Sequence, residues 1–367
     1  MLETLCGNTA FIFGFNNQHI IDRVSQQQQT LSYLVHTNYT CNDNDLLIEK
    51  ISTAGNLHGI GYAVSGSDGI ECAIAMNDYY WFLKDKTKTK IVSFNPGYHG
   101  ITFLARSLRG IEIMPHKNIV LDAPKWPTLK QRRDYEKACF YRLKKTLETD
   151  RSVGAVIMES IPWINGLKPW SEQWWKDMRD ICTQYGVNLI IDDVLGGMGK
   201  LGEVFSHIRY NIQPDISVIG KALTGGYSPL SCACASKEIA DTIKDTWEYG
   251  HTWQPNMMGV AAALAAFELL DLDTIPWLEH QVETIYKRLQ ASGHIKDYVI
   301  IGLMNEVIFH APFRAEDMHQ VGLSYNLHSG NTKIYSITFC IPLIADNEYF
   351  EELEIKIKEL AQKVLQT

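Results

Sequence analysis

Two apolar runs end in groups that could do chemistry together. Leu189-Ile-Ile-Asp192-Asp193-Val194 delivers a carboxylate, and Asp215-Ile-Ser-Val-Ile-Gly220-Lys221 delivers an amine, 221 minus 192 or 29 residues later. Both runs have the length of buried strands, so they predict Asp192 and Lys221 at one sheet edge. A lysine placed there can lose its charge by desolvation or beside another cation, and then attack a carbonyl to form a Schiff base. The cofactor chemistry that joins such a lysine to an aspartate is that of pyridoxal 5′-phosphate, whose pyridine nitrogen must stay protonated to act as an electron sink. Asp192 is the group expected to hold that proton. A phosphate needs a cradle, and Val64-Ser65-Gly66-Ser67-Asp68-Gly69 offers a strand-to-helix turn with exposed N–H groups and two hydroxyls. The same letters also make an ordinary turn and helix cap.

The elements that must position these groups alternate along the chain. Candidate strands are residues 60–64, 90–94, 154–158, 187–191, 216–219 and 230–235, with helical segments between them, the pattern of an α/β domain with a mostly parallel sheet. Ser65–Ser67, Tyr98-His99, Glu159, Asp192 and Lys221 all follow such runs. Ligands of open parallel sheets bind beyond the carboxyl ends of the strands. Singly, each is what any strand exit looks like; together they describe one cleft. Ser171 is a plausible N-cap for a helix with Trp174, Met178, Ile181 and Tyr185 on one face, closed by Gly186. Residues 130–147 read as a helix with a solvated basic face, and 257–270 as a buried helix. Beyond Pro276 the pattern changes to a helix through Gln290, strands near 298–310 and 334–339, and an amphipathic helix over 348–365. The division expected is an N-terminal segment 1–45, a large cofactor domain 46–290 and a small α+β domain 291–367.

Composition narrows the class. The chain has 367 residues, 46% hydrophobic and 21% charged, within the globular range. With 34 basic against 42 acidic residues its net charge is −8, the wrong sign for a general nucleic-acid binder. No run is long enough to span a bilayer. The start, Met1-Leu-Glu-Thr, lacks a basic flank and apolar core, and the eight cysteines include no Cys-x-x-Cys pair. A cytoplasmic protein with reduced thiols is expected. Two rival motifs fail by letter: the Gly196–Gly202 stretch has Val194 and Leu201 where a P-loop needs Gly and Ser or Thr, and His58, His99, His251 and His280 lack metal-ligand spacing. No catalytic metal is expected.

Ile191-Asp192-Asp193-Val194-Leu-Gly-Gly-Met-Gly199-Lys200-Leu-Gly202, continuing through Pro214-Asp215-Ile-Ser-Val-Ile-Gly220-Lys221-Ala-Leu-Thr-Gly225-Gly226, resembles the signature of the class III aminotransferases. This is the fold type I group that includes ornithine, 4-aminobutyrate and glutamate-1-semialdehyde aminotransferases. The resemblance runs from about residue 8 to the end. It implies a mostly parallel seven-stranded sheet sandwiched by helices, with a smaller α+β C-terminal domain. It implies that Lys221 carries pyridoxal 5′-phosphate and shuttles the proton, that Asp192 pairs with the pyridine nitrogen, and that Val194 and Tyr98 flank the ring, with His99 and Glu159 beside it. Ser65, Gly66 and Ser67 match the phosphate turn. Thr252, in His251-Thr252-Trp253, matches a threonine that reaches the phosphate of the neighbouring subunit, implying a homodimer.

The chain also departs from the pattern. Family members that act on α-amino or keto acids often carry an arginine in an Arg-x-x-Pro-Pro-Leu context, a bidentate grip on a carboxylate; here Thr338 stands in Ile337-Thr338-Phe339-Cys340-Ile341-Pro342-Leu343. A carboxylate is then expected to be held otherwise, through Lys200 or through a residue the sequence does not mark. Ser160 replaces the proline after Glu159, and an N-terminal segment shorter than the arm of longer members is expected. Trp163, Trp170, Trp174 and Trp175 are candidate pocket residues, with a core position the better account of Trp174. The activity expected is transfer of an amino group between a small-molecule amine and a keto or aldehyde acceptor, without nucleic acid or membrane. An aminomutase of the glutamate-1-semialdehyde type, another isomerase or decarboxylase, and a non-catalytic binding protein on the same fold are the alternatives.

Overall fold

The computed structural model describes residues 6–35, 38–110, 117–122, 132–164, 166–313 and 334–365. Parts of the N-terminal segment and of the expected 130–147 helix lie outside them. Seven strands form one sheet: β1 (Gly59–Ala63), β2 (Lys90–Asn95), β3 (Ile119–Asp122), β4 (Val153–Glu159), β5 (Asn188–Asp192), β6 (Ile216–Ile219) and β7 (Ser231–Ala235). Their order is β1-β7-β6-β5-β4-β2-β3, and β7 alone runs antiparallel to its neighbours. A second, three-stranded antiparallel sheet, β8 (Asp297–Ile301), β9 (Met304–Phe313) and β10 (Ile334–Cys340), belongs to the smaller domain. The helices Ile275–Ala291 and Asn347–Leu365 pack on each other and on this sheet. No helix among the described residues is long and apolar enough to cross a membrane.

Six of the seven strands coincide with apolar runs read from the sequence. The exception is β3, a half-buried strand of four residues paired only with β2. The central strands are apolar on both faces because both are covered. Leu189, Ile191, Val156 and Met158 point to the helices Arg132–Thr149 and Glu172–Tyr185. Ile190, Ala155 and Ile157 point the other way, to the helix Gly66–Lys84. The period of two therefore carries Glu159 and Asp192 onto the side of the Gly66–Lys84 helix.

Local signals set the helix ends. The Ser171 hydroxyl accepts the Trp174 N–H at 3.1 Å, and Gly186 closes the same helix in the left-handed conformation at φ 58°. Ser65 likewise caps Gly66–Lys84, accepting the Asp68 N–H at 3.2 Å. That helix lies so close to the sheet that a Cβ on Gly69 would sit 2.4 Å from Ser231 Oγ and 2.9 Å from Val218 Cγ1. Gly69→Ala is expected to force the helix off β6 and β7 and to cost about 1–3 kcal/mol of stability, the usual cost of overpacking. Denaturant unfolding of the variant against the parent measures it.

Candidate active site

Beyond the carboxyl ends of β4, β5 and β6 lies a cavity of about 200 Å³ lined by Ser65, Gly66, Ser67, Tyr98, His99, Gly100, Glu159, Trp163, Asp192, Val194, Leu195 and Lys221. Every residue singled out from the sequence as a cofactor contact is in this wall except Thr252, which is exposed. Gly100, Leu195 and Trp163 complete it. Gly100 and Leu195 sit inside motifs already recognised, next to His99 and Val194, but nothing in their type announces a lining role. Of the four tryptophans considered, only Trp163 reaches the cavity. Trp170, Trp174 and Trp175 are buried in the apolar layer on the far side of the sheet, where Trp170 and Trp174 stack at 4.7 Å.

Parallel pairing sets Glu159 opposite Asp192, and Asp192 opposite Val218 on β6, so three strand ends present their next residues together. Asp192 is 5% exposed. Its Oδ2 lies 2.8 Å from Nδ1 of the buried His99, and its Oδ1 accepts the Val194 N–H at 3.2 Å. Burial pulls the His99 pKa down, but the hydrogen bond to Asp192 and that carboxylate's charge outweigh it, and the net shift is upward. Glu159 accepts the Tyr98 N–H at 3.0 Å. Burial, reinforced by Asp192 and opposed by His99, pushes its carboxyl up to about 7.

Lys221 opens the short turn Lys221–Thr224 with φ at 50°, a left-handed conformation that costs a non-glycine residue on the order of 1 kcal/mol. Nζ has no hydrogen bond among the described residues and stands 5.2 Å from the centre of the Trp163 ring. Burial lowers its pKa, with Asp192 and Glu159 opposing. The turn after β1 closes the other end. A Cβ on Gly66 would meet Val194 Cγ1 at 2.8 Å, and one on Gly100, at φ 116°, would meet Ser67 Oγ at 2.6 Å. Ser67 Oγ accepts the Ile101 N–H at 3.1 Å. The phosphate turn, the Tyr98 turn and Val194 are thus in mutual contact, and the helix N-terminus opens on the cavity with its positive end.

An amine, a buried carboxylate, an aromatic wall and a helix N-terminus around one cavity fit a planar aldehyde cofactor that carries a phosphate. Lys221 presents the amine, Asp192 the carboxylate, Tyr98 the aromatic ring and Ser65–Ser67 the start of the helix.

Lys200 does not line the cavity. Its side chain is fully buried and Nζ has no hydrogen-bond partner among the described residues. Thr338 is also fully buried, on β10, outside the wall. No arginine is found among the described lining residues; Arg109 lies with its guanidinium carbon 4.5 Å from the centre of the Tyr98 ring.

The model of the aminotransferase class-III family matches residues 1–358, and the chain belongs to that family. The uncharacterised aminotransferase y4uB of Sinorhizobium fredii is 25% identical over 341 residues, covering 84% of this chain and 72% of that protein. The adenosylmethionine-8-amino-7-oxononanoate aminotransferase of Staphylococcus aureus is 28% identical over 310 residues, covering 76% and 67%. The thermostable omega transaminase of Pseudomonas jessenii, solved as a fourfold mutant, shares the fold with a TM-score of 0.88 at 20% identity, covering 99% of this chain and 89% of that one. The protein is a pyridoxal-phosphate-dependent class III aminotransferase.

Lys200 yields a sign-definite expectation. Burial pushes its amine down to about 7, with Cys340 opposing and Lys221 adding to the fall. The unfolded chain therefore binds one more proton than the folded one between about pH 7 and 10.5, and stability rises with pH through that window. Lys200→Met should stabilise the folded chain on the order of 2 kcal/mol at pH 7, with the gain shrinking toward pH 10. Denaturant unfolding of both proteins at the two pH values tests this.

Proposed function

We propose that this class III aminotransferase works through Lys221, Asp192, Tyr98 and the Ser65–Ser67 turn of one subunit, completed by Thr252 of a second copy. The observation that carries the reading is the meeting of the Lys221 amine with the Asp192 carboxylate in one cavity, at the ends of neighbouring strands.

When bound, pyridoxal 5′-phosphate supplies an aldehyde carbon for amines and a protonated ring that takes up electrons. The chain supplies the rest. Lys221 is the Schiff-base lysine: desolvation keeps a larger fraction of Nζ unprotonated and nucleophilic than in water. Beside the bound cofactor the same Nζ would be placed to take a proton from one substrate carbon and return it to another. Asp192, fixed by His99 and the Val194 N–H, holds the proton on the ring nitrogen. Glu159 fixes the backbone of Tyr98, whose ring forms one flank as Val194 forms the other. The N–H groups of the turn at Gly66 and Ser67 meet the phosphate. Trp163 walls the side next to the amine and keeps water from it.

The substrates are a small-molecule amine and a keto or aldehyde acceptor. Among the described residues the cavity wall holds no arginine, which supports partners that do not depend on a bidentate carboxylate grip. The homodimer is supported by an exposed apolar surface beside the cavity, Tyr98, Ile101, Phe103 and Leu104, and by exposed Trp253 next to Thr252. The segment before Thr252 is tied to the phosphate-turn helix: Asp68 accepts from Tyr249 Oη at 2.7 Å and pairs with His251 Nε2 at 3.0 Å. Eight free cysteines favour a reducing, cytoplasmic setting.

Borohydride reduction of the purified protein with its cofactor should leave a pyridoxyl-phosphate adduct on the Lys221 peptide, absent in Lys221→Ala; an adduct elsewhere would refute the assignment. Asp192→Ala should keep the adduct and lose turnover by a factor on the order of 10³, in line with losing a preorganised charge at the reacting centre. Thr252→Ala should weaken cofactor affinity roughly tenfold, one charge-assisted hydrogen bond, without weakening the dimer. Fluorescence titration of cofactor and sedimentation of the same samples separate the two effects.

A further inference from the structure

The segment that follows β4 is fastened to the smaller sheet by one buried carboxylate. Glu306 stands in β9, opposite Thr338 of β10, and is 4% exposed. Its Oε2 accepts the Leu167 N–H at 2.8 Å. Gly166 runs past it at φ 97°, so close that a Cβ would lie 2.8 Å from Glu306 Oε1. The segment is also closed on itself. The Lys168 N–H donates to the Pro162 carbonyl at 2.9 Å, and the Gly166 N–H to the Trp163 carbonyl at 3.2 Å. Trp163 sits inside that closed turn, with its ring beside Lys221 Nζ.

We propose that Glu306 is a positioning residue: by holding the Leu167 N–H it sets the Trp163 ring against Lys221, so that the smaller domain controls how open and how reactive this amine is. The inference rests on the reading of Lys221 as the reactive amine. Withdrawing the carboxylate leaves the Leu167 N–H without its acceptor, and a buried donor without an acceptor is driven to move toward water. The Gly166 N–H bond to the Trp163 carbonyl and the Lys168 N–H bond to the Pro162 carbonyl flank Leu167, so a shift of Leu167 is passed to Trp163 and its ring. An aromatic face near an ammonium both stabilises its charge and blocks approach from that side. Displacing the ring therefore exposes Nζ.

The test labels Lys221 in the full-length, cofactor-free chain with acetic anhydride and follows the rate on the Lys221 peptide by mass spectrometry. Glu306→Ala and Glu306→Asp should each raise the rate roughly fivefold, the size of one withdrawn hydrogen bond. Glu306→Asp matters because it keeps the charge and shortens the reach. Glu306→Gln, whose amide oxygen still accepts, should stay within about twofold of the parent. Trp163→Leu should raise the rate by itself, and adding Glu306→Ala to it should change nothing more, since both act through one ring. Leu353→Ala, which removes a buried leucine of the smaller domain's last helix, controls for general loosening and should leave the rate alone. Unchanged labelling in both Glu306→Ala and Glu306→Asp, an equal rise in Leu353→Ala, or additive effects with Trp163→Leu would each overturn the proposal. If Glu306→Ala does not fold, the Asp and Gln variants decide it. Borohydride trapping on the parent runs in parallel: failure to mark Lys221 there sinks the cofactor assignment, while the labelling comparison still reports on Glu306.

Discussion

A carboxylate almost without access to water is the constraint around which the cavity is built. Asp192 ends a strand buried on both faces, and placing its charge there costs several kcal/mol unless partners compensate. His99 and the Val194 N–H compensate one side. The other side opens on the cavity, where the Lys221 amine shares the wall with it. Burial, with the Asp192 charge adding to it, makes the neighbouring carboxyl, Glu159, tend to keep its proton. Two acids on adjacent strands thus take different roles from their surroundings alone, one paired with an imidazole and one with a single backbone donor.

Much of this was legible in the sequence, because strand period and strand ends are local properties. The runs closing at Asp192 and Lys221 are short, apolar and bounded, and a parallel sheet gathers such ends on one edge. Ser171 and Gly186 fix a helix by capping chemistry that needs no tertiary information. β3 was missed because its four residues sit half-buried at the sheet's outer edge, where the apolar signal is weak. The tryptophans were ambiguous for a different reason. Trp163 lies in a turn, so no period says which way it faces, and its place beside Lys221 is a contact between segments distant in sequence. Lys200 misled as well: a lysine beside a glycine-rich stretch looks available, yet packing buries it completely.

The two domains meet through backbone as much as through side chains. The Leu303 N–H donates to the Lys200 carbonyl, the Ile341 N–H to the Leu303 carbonyl, and the Leu343 N–H to the Ile12 carbonyl, each within 2.9 Å. The glycine-rich stretch after Asp192, the turn between β8 and β9, and the residues after β10 are thereby stitched in series to the N-terminal segment. The Tyr227 hydroxyl bonds the Gly14 carbonyl and packs on Phe11, joining that segment to the loop beyond Lys221. A displacement of the smaller sheet is therefore felt on both sides of the amine.

The place of β7 has a consequence for how the chain comes to be folded. β1, which leads into the phosphate turn, finds its only neighbour in β7: Gly59 pairs with Ala235, 235 minus 59 or 176 residues further on. During synthesis, then, the first strand leaves the ribosome long before its partner exists, with its main-chain groups unsatisfied and an apolar helix already attached. Sequence-distant pairing of this kind is slow and leaves a sticky edge open to other chains. The Ser65–Ser67 turn, directly after β1, is among the first parts of the sheet made and among the last to be locked in place, when residue 235 has emerged.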